Sequence, residues 1–151
     1  MGFIPELFPE RFRHKRWAER WTGSGFLGTL LALALGWSIQ PRGMWGLPLL
    51  LAATALAVWL SGTAESSLGN KDDHRIVVDE IVGYFWTIAY LPAGGWAVYL
   101  AAFALFRAFD TYKIPSRGIQ NLPGGWGVMM DDVLSGITAN LILHAALALR
   151  G

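Results

Sequence analysis

Apolar residues run almost unbroken through 25–39, 46–64, 76–91, 94–109 and 133–149, and most charged residues fall in the joins between these runs. Most runs are 15 to 19 residues long and are bounded by glycine or proline, as in Pro41-Arg42-Gly43 and Leu91-Pro92-Ala93-Gly94-Gly95. That length sits at the lower edge of what a hydrocarbon layer ~30 Å thick requires of a helix. The pattern predicts an all-α protein, an integral membrane helical bundle of about five helices. The third run opens on the acids Asp79 and Glu80 and is the weakest candidate for a complete crossing.

Ahead of these runs, residues 1–21 interleave Phe8, Phe12, Trp17 and Trp21 with Arg11, Arg13, Lys15, Arg16 and Arg20. Rings at headgroup level and cations on anionic lipid suit an amphipathic interfacial segment. The plainer reading is a disordered basic leader. With no apolar core and two prolines, the stretch is not expected to be a signal peptide. Residues 22–151 then form one membrane domain.

Composition agrees. Apolar residues make up 54% of the 151 and charged residues 15%, against about 25% charged in an average soluble domain. The mean hydropathy is +0.39. The absence of cysteine excludes disulfides, thiolate metal ligands and a cysteine nucleophile.

The net charge of +1 says little, but the placement of charge says much. With the first run leaving the N-terminal side, ten of the twelve Lys/Arg lie on that side, and only Arg42 and Arg150 lie opposite. The positive-inside bias makes that side cytoplasmic. All eleven Asp/Glu also lie there. Acids do not set orientation, so their segregation points to a polar site at that face.

Three stretches carry the chemistry: KDDHRIVVDEIVG at 71–83, FRAFDTYK at 106–113 and GGWGVMMDDVLSG at 124–136. Asp79-Glu80 and Asp131-Asp132 stand at or near expected helix starts, where an acid gains about 0.3–1 kcal/mol from the helix dipole. Capping therefore explains either pair alone. Seven carboxylates gathered at one face (Asp72, Asp73, Asp79, Glu80, Asp110, Asp131, Asp132) would repel one another, and a divalent cation relieves that. Oxygen donors without cysteine favour Mg²⁺ over Zn²⁺.

Arg107, Asp110 and Lys113 follow at i, i+3 and i+6, on one helical face. Arginine offers phosphate a planar fork and lysine a point charge. Snorkelling at a membrane boundary explains either cation, but not the acid between them. Gly124-Gly125 before a helix entry suits backbone approach to an anion, or simply a turn. Gly83 and Gly136 each follow an acid by four residues and would let two helices approach closely. His144, in an apolar helix, reads as an interhelical polar group. His74, in the acidic join, is a weak ligand candidate.

Together the three stretches resemble the phosphatidylglycerophosphatase A family, whose pattern is approximately KD-x(3)-IV-x-DE-x-x-G, FR-x-FD-x-x-KP and GG-x-G-[IV]-M-x-DD-x-x-[AS]-G. SGFLGTL at 24–30 is similar to that family's PGT-x-GSL, and the likeness covers about residues 23 to 145. Ser24 departs from the usual proline, Ile114 replaces the proline after the lysine, and Ser116-Arg117 replaces a second Pro-Ile.

The resemblance implies a Mg²⁺-dependent phosphatase of the bacterial inner membrane, multi-pass, with its site facing the cytoplasm. Its substrate would be the phospholipid phosphatidylglycerophosphate, with no nucleic-acid partner and with homo-oligomerisation left open. Carried over, Asp72, Asp79, Glu80, Asp131 and Asp132 would hold metal. Lys71, Arg107, Lys113, Gly124 and Gly125 would bind the phosphate, and Asp79, Arg107, Asp110 and Lys113 would serve catalysis. Water and an aspartyl group both remain open as nucleophile. The competing classes are a divalent-cation transporter, which needs charge at mid-membrane and at both faces, and a non-catalytic membrane protein.

Overall fold

A computed structural model describes residues 24–68, 77–92, 94–114, 118–119, 122 and 125–151. They form five helices and no strand: α1 (Ser24–Ser38), α2 (Gly43–Leu68), α3 (Val78–Ile88), α4 (Trp96–Tyr112) and α5 (Gly125–Ala148). The interfacial segment expected at 1–21 lies outside the described residues.

Helix α3 is the centre of the bundle and packs on all four others. It buries Val82, Tyr84 and Ile88, and Tyr84 meets Phe106 of α4 edge-on at 6.3 Å between ring centroids. Helices consecutive along the chain alternate in direction. Gly25 and Gly36 of α1 lie beside Glu80 and Ile88, so α1 and α3 run parallel. Thr54 of α2 accepts a hydrogen bond from Trp86, while Leu47 lies at Tyr90, so α2 runs against α3.

Helix α2 is the one described helix long and apolar enough to cross a membrane, over Gly43–Thr63 with mean hydropathy 1.7. Its outer face exposes Met44, Trp45, Leu49, Leu56 and Trp59. Helix α1 is apolar but shorter.

Two boundaries differ from the sequence reading. Helix α3 has 11 residues, about 16 Å of rise, and is too short to cross by itself. It ends because Ala89 is extended and Tyr90 is left-handed (φ 55). Its last carbonyls are taken up by side chains. Asn140 Nδ2 donates to Thr87 O and Ala89 O, each at 2.8 Å, and Gln40 Nε2 donates to Ile88 O at 2.7 Å and Leu91 O at 3.0 Å. The other difference is α5, which begins at Gly125, well before the expected 133. Asp131 and Asp132 therefore lie in its second turn, where the four unpaired N–H groups of a helix start are already past, and capping does not explain them.

Candidate active site

Two glycines bring the acids together. A Cβ on Gly136 would stand 2.2 Å from the Gly83 carbonyl oxygen, and one on Gly83 would stand 2.9 Å from the Asp132 carbonyl oxygen. The backbones of α3 and α5 touch there, as the spacing of the two glycines predicts. One turn earlier on each helix lie Asp79-Glu80 and Asp132. One carboxylate oxygen from each of Asp79, Glu80 and Asp132 lies within 4.8 Å of the other two.

Asp131 immediately precedes Asp132 but faces elsewhere, since successive helical side chains diverge by about 100°. It accepts a hydrogen bond from Lys113 of the α4 terminus. Lys113 has φ 55 and ψ 49, and its N–H closes the helix on Phe109 O. On the same helix Arg107 is buried and pairs with Asp110, Nη1 to Oδ2, at 2.5 Å.

The electrostatics are those of a crowded acid group. Burial, then repulsion from Asp110 and Asp79, pushes the Asp132 carboxyl well up from the ordinary range. At the opening of α3, burial pushes Glu80 up to about 7, helped by Asp132 and Asp110 and opposed by a hydrogen bond with Asp79. Burial, then the same hydrogen bond and the charge of Glu80, raises Asp79 as well. Burial alone would lower Lys113, but its bond to Asp131 and the charges of Asp132, Asp131 and Asp110 outweigh burial and leave it raised.

The donor set fits a hard divalent cation. It consists of three carboxylates, with neither sulfur nor imidazole among them. The Oε2 of Glu80 is buried with no protein partner, and an orphaned carboxylate oxygen is costly unless something binds it.

The remaining expected residues divide. Lys71, Asp72 and Gly124 lie outside the described residues, as do Asp73 and His74. Gly125 has a packing reason to lack a side chain, because a Cβ there would stand 2.2 Å from Val58 O and 2.6 Å from Gly62 N of α2. His144 is an interhelical polar group as expected, with Nδ1 at 3.1 Å from Asn140 O and Nε2 at 3.2 Å from Tyr90 O.

Sequence reasoning gave no role to Gly25, against which both Glu80 and Arg107 lie. Its signal was its place in SGFLGTL at 24–30, the stretch similar to PGT-x-GSL, which by itself names no partner for the glycine. Asn140 and Gln40, which hold the far end of α3, were also passed over. A lone amide in an apolar run was the available clue.

Comparisons with known proteins follow the same residues. The family model for phosphatidylglycerophosphatase A matches residues 16–147. A Haemophilus influenzae protein named phosphatidylglycerophosphatase A is 36% identical over 82% of this chain and 76% of its own length. An Escherichia coli protein of the same name is 31% identical over 80% of this chain and 72% of its own. A Bacteroides thetaiotaomicron protein, whose name provisionally makes it a phosphatidylinositol-3-phosphatase, is 41% identical over 65% of this chain. The chain spans 63% of that relative's length. No solved structure matches. A match over most of the chain, on the helices that carry the acid group and its two cations, places it in the phosphatidylglycerophosphatase A family.

Proposed function

We propose that this chain hydrolyses phosphatidylglycerophosphate to phosphatidylglycerol and phosphate, with Mg²⁺ as cofactor, as a multi-pass enzyme whose site opens to the cytoplasm. The observation that carries this is the meeting of Asp79, Glu80 and Asp132 at the end of the bundle where Arg107 also lies. A terminal lipid phosphate is presented at such an end.

Asp79, Glu80 and Asp132 would hold the cation, with Asp72 the further ligand that the family resemblance implies. Bound there, the cation would polarise the phosphoryl group and lower the pKa of water. Arg107, oriented by Asp110, gives the phosphoryl oxygens a fixed donor fork in a buried setting where it is not weakened by water. Lys113 supplies a second positive charge while holding Asp131. In the reaction, a water oxygen bonds to phosphorus as the bond from phosphorus to the glycerol oxygen breaks, and that oxygen takes up a proton. Attack by an Asp79 oxygen, followed by hydrolysis of the acyl phosphate, gives the same products; a single turnover in oxygen-18 water with rapid-quench trapping separates the two routes.

The name of the Bacteroides relative supports a second substrate, a phosphoinositide, which carries the same phosphomonoester on a lipid headgroup. The test is phosphate release from each lipid by purified protein in detergent, with and without Mg²⁺. Preferential release from phosphatidylglycerophosphate that is lost in chelator is expected. Full activity in Asp79→Asn or in chelator would remove the metal assignment. A transporter would need acids at both ends of the bundle, and the described acids gather at one.

A further inference from the structure

Gly25 stands at the second position of α1. Its φ is not in the left-handed region, so the backbone does not require glycine. Helix propensity does not favour glycine over alanine there either. Space argues for glycine. A Cβ on Gly25 would stand 2.3 Å from Glu80 Oε1, 3.2 Å from Glu80 Cδ and 3.5 Å from Arg107 Nη1. An acid of α3 and the buried cation of α4 thus share the place of one missing side chain on α1. Gly28, one turn on, is different: its Cβ would meet Val77, at 3.0 Å from the side chain and 3.2 Å from the carbonyl oxygen, a tight approach that involves none of the charged groups.

The nature of the obstructing atoms decides what a side chain would do. At Gly136 or Gly125 a Cβ would strike backbone, and helices would have to part. At Gly25 it would strike the free end of a flexible side chain, and the fold can yield by turning Glu80 aside. The consequence falls on the site. With Oε1 set against α1, the buried Oε2 of Glu80 is the oxygen left without a protein partner.

We propose that Gly25 is a positioning residue: the bare start of α1 sets the Glu80 carboxylate in place with Asp79 and Asp132 and beside Arg107. Its effect on cation affinity rests on the reading of those three acids as a cation site. Residues that orient metal ligands typically affect affinity by 10–100-fold.

The test uses the full chain in detergent without substrate, following the Mg²⁺-induced rise in melting temperature. Gly25→Ala should melt close to wild type in chelator but need at least about tenfold more Mg²⁺ for the half-maximal rise. In a Glu80→Asp background, where the shorter acid returns the room, Gly25→Ala should cost clearly less. Unchanged Mg²⁺ dependence in Gly25→Ala, or the same loss in both backgrounds, overturns the proposal. If wild type shows no Mg²⁺ response, the cation reading fails instead. The same four variants are then compared by kcat/KM for phosphate release, and strictly additive losses overturn the role of Gly25.

Discussion

Lys113 and Asp131 pair across the contact between α4 and α5, and Lys113 reaches that pair from a left-handed residue that ends its helix. Outside glycine that conformation costs about 1–2 kcal/mol, so the surrounding contacts hold it. Asp131 is buried, and Lys113→Met would take away the cation that donates to its carboxylate. Removing one member of a buried pair costs about 3–5 kcal/mol. The double variant Lys113→Met/Asp131→Asn should lose less than the two single variants together. Denaturation in detergent checks this, and strictly additive losses would show that the two side chains do not depend on each other.

The crossing at Gly83 and Gly136 makes a second prediction. Gly136→Ala drives a methyl into backbone that has no rotamer to escape with. Forced overpacking costs about 1–3 kcal/mol, and here the relief is a separation of α3 from α5. That separation withdraws Asp132 from Asp79 and Glu80, so phosphate release should fall further than the lost folded fraction accounts for. Gly95→Ala, with nothing within 4 Å of the added carbon, is the control. Equal activity per folded molecule in Gly136→Ala and Gly95→Ala would sever the crossing from the site.

The acids of this site were legible because charge is rare in the chain, so each charged residue stood out against an apolar background. The two crossing glycines were legible because each sits one turn from an acid. The split between Asp131 and Asp132 was not. As a pair beside an apolar run they read alike, and only a helix that starts at Gly125 sends one to Lys113 and the other to Asp79. That start was hidden because Gly124-Gly125 reads as a turn, whereas Gly125 is also the residue that lets α5 touch α2. The short length of α3 was hidden for a different reason. Its end is set by Gln40 and Asn140, about fifty residues away on either side, and no local pattern reports such partners.

The acid group also predicts a pH dependence. Glu80 is raised from 4.5 to about 7 and Asp132 is raised too. A raised carboxyl binds its proton more tightly folded than unfolded, so its stabilising contribution is complete below the unfolded value. It is lost as pH rises through the folded one. In chelator the melting temperature should therefore fall between about pH 4.5 and 7, contrary to the usual behaviour of ion-paired carboxylates. Added Mg²⁺ should restore more at pH 8 than at pH 5, because at pH 5 protons compete for the same oxygens. A chelated protein whose melting temperature climbs over this window would mean that the acids are not crowded in solution.

At the other end of α3, Asn140 separates stability from chemistry. Its amide satisfies two buried carbonyls, Thr87 and Ala89, and each unsatisfied buried acceptor costs about 1–3 kcal/mol. Asn140→Leu keeps the volume and removes both donors, and the penalty grows where no water reaches the helix end. The expected result is a clear drop in melting temperature with an unchanged half-saturating Mg²⁺ concentration, because Asn140 lies two turns from Asp132 and touches none of the acids. Gln40→Leu should behave alike, removing the side-chain donor to Leu91 O and one of the two donors to Ile88 O. If either variant instead shifted the Mg²⁺ requirement without lowering stability, the far end of α3 would be tuning the acid group through the helix axis, and the division between a scaffold end and a chemical end would be wrong.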